Sequence, residues 1–364
     1  MTTALEGGSS HLGYLEETST RDAQRKLLRV AWLQHRGGCL ALLVVFVAFV
    51  VAIVVERSRV DASYAAFVAG GCVGRQLVPG TCNTAALALG GQSTFTTIGI
   101  ALSALPLLVG VFVGAPLVSR EIESGTFRFA WTQATPRSRL VLATLGALAG
   151  GATVMAVVLG LVFGGWYAHV YDVVLTPLDS PWQATPFVTT WWLLPAWTVS
   201  ALALGTFLGT LIRRTVAAMA ATAALVGGLI VAAHVVLPEL LHVGASTARF
   251  KSEVGNMVLG TINSPPQPGW HVPPGSWLVR SWMTGPGGRV LDRSASVHVE
   301  NALSTRTAAS GDHWLAAHHV SFWVSYQPPG HFWMFQGVEG VVVLAVAALC
   351  VMATVCLLKR RAIA

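Results

Sequence analysis

Apolar residues fall into six long runs separated by short polar or mixed stretches, near 38–55, 93–118, 140–166, 191–212, 216–237 and 335–358. A helix needs about 20 residues to cross a hydrocarbon layer ~30 Å thick. In lipid every backbone N–H and C=O must be satisfied inside the segment, so uninterrupted runs of this length predict α-helices. The pattern predicts an all-α membrane protein with six transmembrane helices. A short coupling helix is expected on the cytoplasmic side between spans two and three, and a small extracellular cap between spans five and six. The expected divisions are a disordered tail over 1–20, an interfacial helix over 21–36, spans one to five over 37–237, the cap over 238–334, and span six with a cytoplasmic tail over 335–364.

The most tightly patterned polar stretch is 119–139, between the second and third runs. Residues 120–124 extend the second helix past its apolar part. Gly125 suits a left-handed helix stop. Phe127, Phe129, Ala130 and Trp131 then alternate with Arg128 and Gln133, as in a short helix with one greasy and one polar side. Thr135 is placed to cap the next helix and Pro136 to take its first position, where a missing N–H does no harm. Stop, short helix and start are all specified, which a floppy linker would not need.

Within the runs, glycines recur four apart: Gly110 and Gly114, Gly146 and Gly150, Gly160 and Gly164, Gly205 and Gly209. Such pairs let helix backbones approach closely, inside one subunit or between two. Ser93, Thr96, Thr97 and Ser103 place hydroxyls in the second run. They either line a substrate path or bond to a neighbouring helix. Trp182, Trp191, Trp192 and Trp197 mark an expected outer headgroup region. Glu339 is the acidic residue clearly inside a run; it is expected in the first turn of the sixth helix, stabilised by the helix N-terminus, with a proton or substrate contact as the functional reading.

Composition agrees with this picture. Of 364 residues, 54% are hydrophobic and 11% charged, against roughly a quarter charged in a soluble domain. The formal charge of +7 reflects Lys and Arg at helix ends. With the N-terminus inside, the cytoplasmic segments hold Arg21, Arg25, Lys26, Arg29, Arg36, Arg120, Arg128, Arg137, Arg139, Arg213, Arg214, Lys359, Arg360 and Arg361. The short external loops hold only Arg57, Arg59 and Arg75. This bias predicts a multi-pass plasma-membrane protein with both termini cytoplasmic. Residues 1–20 are mostly polar, so no cleavable leader is expected.

Cys72 and Cys82 share the first external loop, where oxidation is permitted, and are expected to be bridged; two free thiols are the alternative. In the long segment after the fifth run, 276–283 and 289–298 flank a turn at 284–288 and predict a hairpin. His313, His318 and His319 with Asp312 match no closed zinc pattern, so no metal site is assigned. No phosphate-binding G-x-x-x-x-G-K-[ST] loop and no G-x-S-x-G elbow occurs. No catalytic residue is assigned, and energy, if used, has to come from another chain.

The run Arg120, Glu121, Ile122, Glu123, Ser124, Gly125, Thr126, followed by Ala130, Trp131, Thr132, Gln133 and Arg137, resembles the signature of actinobacterial ABC exporter permeases of the type-2 class. Trp32, Gln34, His35 and Arg36 resemble the short helix before the first span of those permeases. The stretch 326–333 (YQPPGHFW), followed by Gln336 and Glu339, resembles their approach to the sixth span, with His331 where the family often has Arg. The resemblance implies a permease subunit that is not itself an enzyme and binds no cofactor. ATP and Mg would sit on a partner ABC ATPase, and a second permease copy, expected as a homodimer, would complete the complex. It implies ATP-driven efflux of a hydrophobic or amphipathic drug, antibiotic, peptide or lipid. It also implies that Arg120, Glu121, Glu123, Gly125, Thr126, Phe127, Arg128, Trp131 and Gln133 meet the ATPase. The alternative is a membrane sensor or resistance subunit that binds such a compound outside and signals to the ATPase without transporting it. No nucleic acid is implied; the basic charge is already explained by the membrane.

Overall fold

The computed structural model describes residues 37, 40–63, 65–66, 68–69, 92–123, 137–174, 187–240, 244–250, 276–304 and 308–363. The stretch 124–136, with Gly125, Thr126, Phe127, Arg128, Trp131 and Gln133, lies outside them, as do Cys72, Cys82 and the interfacial segment 21–36.

Six helices are long and apolar enough to cross a membrane: Leu40–Ser63, Thr97–Glu123, Val141–Ala168, Leu193–Ile212, Thr215–Ala233 and Pro329–Arg360. These match the six runs, with ends shifted by up to eight residues, the most at the end of the first, which continues to Ser63. We label the helices α1 (Leu40–Ser63), α2 (Gln92–Ser103), α3 (Leu105–Val109), α4 (Ala115–Glu123), α5 (Arg137–Val174), α6 (Leu193–Ile212) and α7 (Thr215–Leu240). Beyond them come α8 (Arg293–Ser304), α9 (Ala308–Ala317) and α10 (Phe332–Ile363).

The fourth span, α6, is the hub. Its most apolar window is 78% buried within the chain, against 6% for α1 and 17% for the fifth span. The outer spans therefore leave their Leu and Val side chains exposed, as helices surrounded by lipid do. α6 packs against the second, third, fifth and sixth spans. Its threonines do not disturb that packing, because Thr198, Thr206 and Thr210 donate to carbonyls of their own helix (Leu194, Leu202 and Phe207; 2.7–2.8 Å).

The second span is built in pieces. Pro106 and Pro116 each remove a helical N–H. Between them the chain winds as a π-helix over Gly110–Gly114, where the Ala115 N–H reaches the Gly110 carbonyl five residues back. The fourth span presses on this wider turn. A Cβ at Gly110 would come 2.8 Å from the Ala201 oxygen, and one at Gly114 2.6 Å from the Leu202 oxygen. From the other side, Gly205 faces the Gly110 oxygen and Ala115 nitrogen, and Gly209 faces the Ala115 oxygen. Thus two of the four glycine pairs read from the sequence mesh with each other inside one chain. Gly146 and Gly150 meet nothing among the described residues, and Gly160 but not Gly164 abuts the backbone of Thr190 and Trp191.

Between the fifth and sixth spans lies a three-stranded antiparallel sheet: β1 (Ser246–Phe250), β2 (Trp277–Thr284) and β3 (Ser321–Gln327), in the order β1-β3-β2. Phe250 pairs with Phe322, and Trp277 with Gln327. The predicted hairpin is corrected in part. β2 and the turn after it are present, but its partner is β3, far along the chain, rather than 289–298. Only Thr284 bridges to Val290. The chain then enters α8, because Asp292 accepts from the Ala295 N–H and the Ser294 hydroxyl, both at 2.8 Å, and so caps a helix there.

Trp277 and Val279 of the sheet join Phe187, Val188, Leu193, Trp197 and Val343 in one apolar cluster. Met283 and Phe322 pack with Val299, Leu303 and Leu315 of α8 and α9 in another. The sheet therefore sits between the end of the helix bundle and its own two helices.

Candidate functional site

Two sets of polar side chains stand out, one at each end of α6. The first is at the end with Arg213 and Arg214. α6 stops because Arg213 adopts a left-handed conformation (φ 62°) and returns its N–H to the Gly209 oxygen at 3.2 Å. α7 begins at once, so its first N–H groups need acceptors. One is supplied from 92 residues away: Glu123 Oε2, at the end of α4, accepts the Thr215 N–H at 2.9 Å. Arg214 adds electrostatic attraction to the same carboxylate. Ser119 donates to the Ala115 oxygen at 2.8 Å and stands 3.3 Å from the Thr215 hydroxyl. The last turn of the second span is thus clasped to the tight turn between the fourth and fifth. Arg120 and Glu123 are exposed there, and Glu121 is partly buried. Of the residues expected to meet an ATPase, these three are described, and the structure brings Glu123 to the 213–215 turn.

The second set is at the sheet end. Trp192 Nε1 donates to Gln336 Oε1 at 2.8 Å, and Gln336 Nε2 donates to the Phe187 oxygen at 2.9 Å. Trp197 Nε1 donates to Glu339 Oε1 at 2.8 Å. Ser200 donates to the Val343 oxygen. Gln336 and Glu339 are three apart on α10 and so face the same way. Gly340 leaves room for the Trp192 ring. His331 Nδ1 lies 2.7 Å from Gln327 Oε1, which ties the turn before α10 to the end of β3. Fully buried Gln327 and Gln336 are both held.

One expectation changes here. α10 begins at Phe332, so Glu339 lies in its third turn rather than its first. The described partner of its carboxylate is the Trp197 indole, not the helix N-terminus. Trp192 and Trp197, expected to mark the headgroup region, turn their N–H groups toward the sixth span. A buried indole N–H needs an acceptor, and the fold supplies one at 336 and one at 339.

The hydroxyl stripe of the second span divides. Ser103 is buried and donates to the Ile100 oxygen at 2.7 Å. Thr97 is exposed. Ser93 and Thr96 lie on α2, with side chains outside the described set. Cys350 and Cys356 are free thiols, and among the described residues no cluster suits a metal.

A cavity of about 340 Å³ opens between α6, α7 and α10. Trp197, Ser200 and Glu339 contribute its polar atoms, and Val226, Leu229 and Val342 are among its apolar lining.

The arrangement is a bundle around one buried hub with a polar clasp at each end. The model of the family described as ABC-2 membrane transporter related matches residues 42–238, from α1 through most of α7. The chain belongs to the ABC-2 membrane transporter related family. Membership makes it a membrane subunit of an ABC transporter and implies an ABC ATPase partner. The match covers the hub, the meshed glycines and the Glu123 clasp, whereas the sheet and the Gln336–Glu339 clamp lie beyond it. No curated protein and no solved structure matches the chain.

Proposed function

We propose that this chain is the permease of an ATP-driven exporter, working as a pair of identical copies with two copies of an ABC ATPase. The observation that carries this reading is the clasp between the last turn of the second span and the 213–215 turn. Residues 124–136 come next in the sequence after that helix end, within the part of the chain that the family model covers. A partner that moves this segment would move the second span, and with it the fourth, since their backbones are in contact through Gly110, Gly114, Gly205 and Gly209.

In this reading Arg120, Glu121, Phe127, Arg128, Trp131 and Gln133 meet the ATPase, with Gly125 and Thr126 shaping the elbow. Glu123 serves as the strut that carries the push to the fifth span. Arg213 and Arg214 lie on the cytoplasmic face, and the sheet lies outside as the cap. Thr97, exposed on the second span, is the hydroxyl proposed to face the substrate path. Cys72 and Cys82 form a bridge in the outer loop.

The test is co-expression with ATPases carrying a phosphate-binding loop, purification of the complex, and nucleotide-dependent movement of a lipophilic dye in vesicles. Glu121→Ala combined with Glu123→Ala is expected to keep ATP hydrolysis and lose most dye movement. Wild-type movement in that double variant would contradict the coupling role.

A further inference from the structure

The cavity between α6, α7 and α10 has a polar end and a longer apolar remainder. Trp197, Ser200 and Glu339 lie toward the sheet, and their polar groups are engaged within the chain. The Trp197 indole donates to Glu339 at 2.8 Å, Ser200 donates to the Val343 carbonyl, and Glu339 has a further interaction besides. An occupant therefore need not bring a charge or a hydrogen bond. From Trp197, Glu339 and Ala233 the cavity runs seven residues deeper along each helix, to Leu204, Val346 and Val226. That is about 10 Å, and beyond Ser200 its lining is apolar.

The volume, about 340 Å³, falls in the range of small-molecule pockets, roughly 300–1,000 Å³. The mouth is lateral. Leu229, Val338 and Val342 line it yet are 40%, 59% and 57% exposed, as part of the apolar faces of α7 and α10 that the bilayer covers. Ala201, Leu204 and Val226, at the back, are buried. The cavity is thus an inlet of the lipid interface that reaches the hub helix. A spanning helix of a second copy, roughly 10–12 Å across, would cover the mouth without reaching Ala201 or Leu204. Packed interiors leave few voids larger than a water molecule, so the space behind such a helix would still need filling. A single acyl chain is narrow and flexible enough to enter, and the bilayer presents such chains all along the mouth. A leaflet also has the same order of polarity, polar at the membrane surface and apolar toward the midplane. We propose that this cavity binds one acyl chain of a bilayer phospholipid, with its ester end beside Trp197 and Glu339 and its tail against Leu204 and Val226.

This site rests on the membrane placement of the six spans and not on the permease reading. The full chain is placed in phosphatidylcholine nanodiscs that hold a small fraction of a phospholipid with a mid-chain diazirine. After irradiation, adducts are mapped by mass spectrometry. Label at Ala201 or Leu204 is expected, because chains that merely surround the protein cannot reach the buried hub. α1 is the reference, since its most apolar window is only 6% buried and surrounding chains label it in any case. Ala233→Phe narrows the cavity and is expected to lower the ratio of α6 label to α1 label by about fivefold or more. Ala220→Phe, on an exposed part of α7 outside the cavity, should leave that ratio unchanged. No label at 201–204 in the unaltered chain, or an unchanged ratio in Ala233→Phe, would overturn the assignment. So would label from a diazirine-bearing free fatty acid but not from the phospholipid, or label that vanishes in discs holding two copies, which would mean that a second copy fills the cavity. None of these results bears on the ATPase partnership, and failure to find an ATPase would leave a positive labelling result standing.

Discussion

The two ends of the fourth span are fastened in opposite ways. At the Arg213–Arg214 end, the clasp is one exposed carboxylate accepting a backbone N–H, with a serine beside it. At the sheet end, fully buried Gln336 and the neighbouring Glu339 hold two indole N–H groups, and an apolar cluster that includes Trp277 and Val279 closes over them. An exposed bond competes with water at every moment, while a buried one can be broken only by stranding a polar atom. The difference teaches where movement is cheap. In the proposed function a partner would re-set the Glu123 end, while the Gln336 end would hold the fourth and sixth spans in register. Between the ends, the meshed glycines leave no slack, so displacement of the second span is passed on to the fourth.

The sharpest way to break this contrast is at its middle. Gly205→Leu would drive a side chain into the Gly110 oxygen and Ala115 nitrogen, backbone atoms that cannot swing aside. A loss of about 3 kcal/mol is expected, read as a lowered unfolding midpoint in detergent. Gly150→Leu, where an added Cβ meets nothing among the described residues, is the control and should leave the midpoint unchanged. Next comes the buried end. Gln336→Leu strands the Trp192 N–H and the Phe187 carbonyl and should cost about 2 kcal/mol; an unchanged midpoint would mean that the clamp holds nothing.

The exposed end should respond less. Glu123→Ala removes the acceptor of the Thr215 N–H, with a smaller loss of stability than Gln336→Leu and faster amide exchange at Thr215. Glu123→Gln keeps an acceptor and should restore most of the protection. If Glu123→Ala proved the more damaging of the two, the contrast would be reversed.

The smallest effect lies outside the bundle. Hydrogen bonds from the Ala295 N–H and then from Ser294 hold the Asp292 carboxyl below its ordinary range. Its folded value is the lower one, so its cap is fully present above the ordinary carboxylate pKa and is lost as pH falls through the depressed one. Amide exchange at Ala295 should rise only in that acid window. Asp292→Asn, which caps without titrating, should flatten the dependence.

The six helices could be read directly, since nothing but lipid rewards uninterrupted apolar runs of about 20 residues. The hub could not. α6 is no more apolar than its neighbours, and only its meeting with Gly110 and Gly114 shows which helix is central. The strand partner of β2 was also out of reach. β3 follows it by a long separation, and the nearer segment 289–298 was drawn into α8 by the Asp292 cap. Glu339 was noticed as an acidic residue in a span, but its bond to Trp197 joins residues 142 apart, and no local pattern carries that. Glu121 and Glu123 looked alike in the chain. Only the fold, by starting α7 beside Glu123, tells them apart: Glu123 accepts the Thr215 N–H, whereas Glu121 is partly buried.

The claim on which the rest turns is that 124–136 docks on an ATPase. It is tested most directly by placing a photo-crosslinking amino acid at position 127 in cells that hold the whole complex. The account predicts an ultraviolet-dependent adduct, identified by mass spectrometry as a chain with a phosphate-binding loop. An adduct to lipid alone, or to no ATPase, would contradict it.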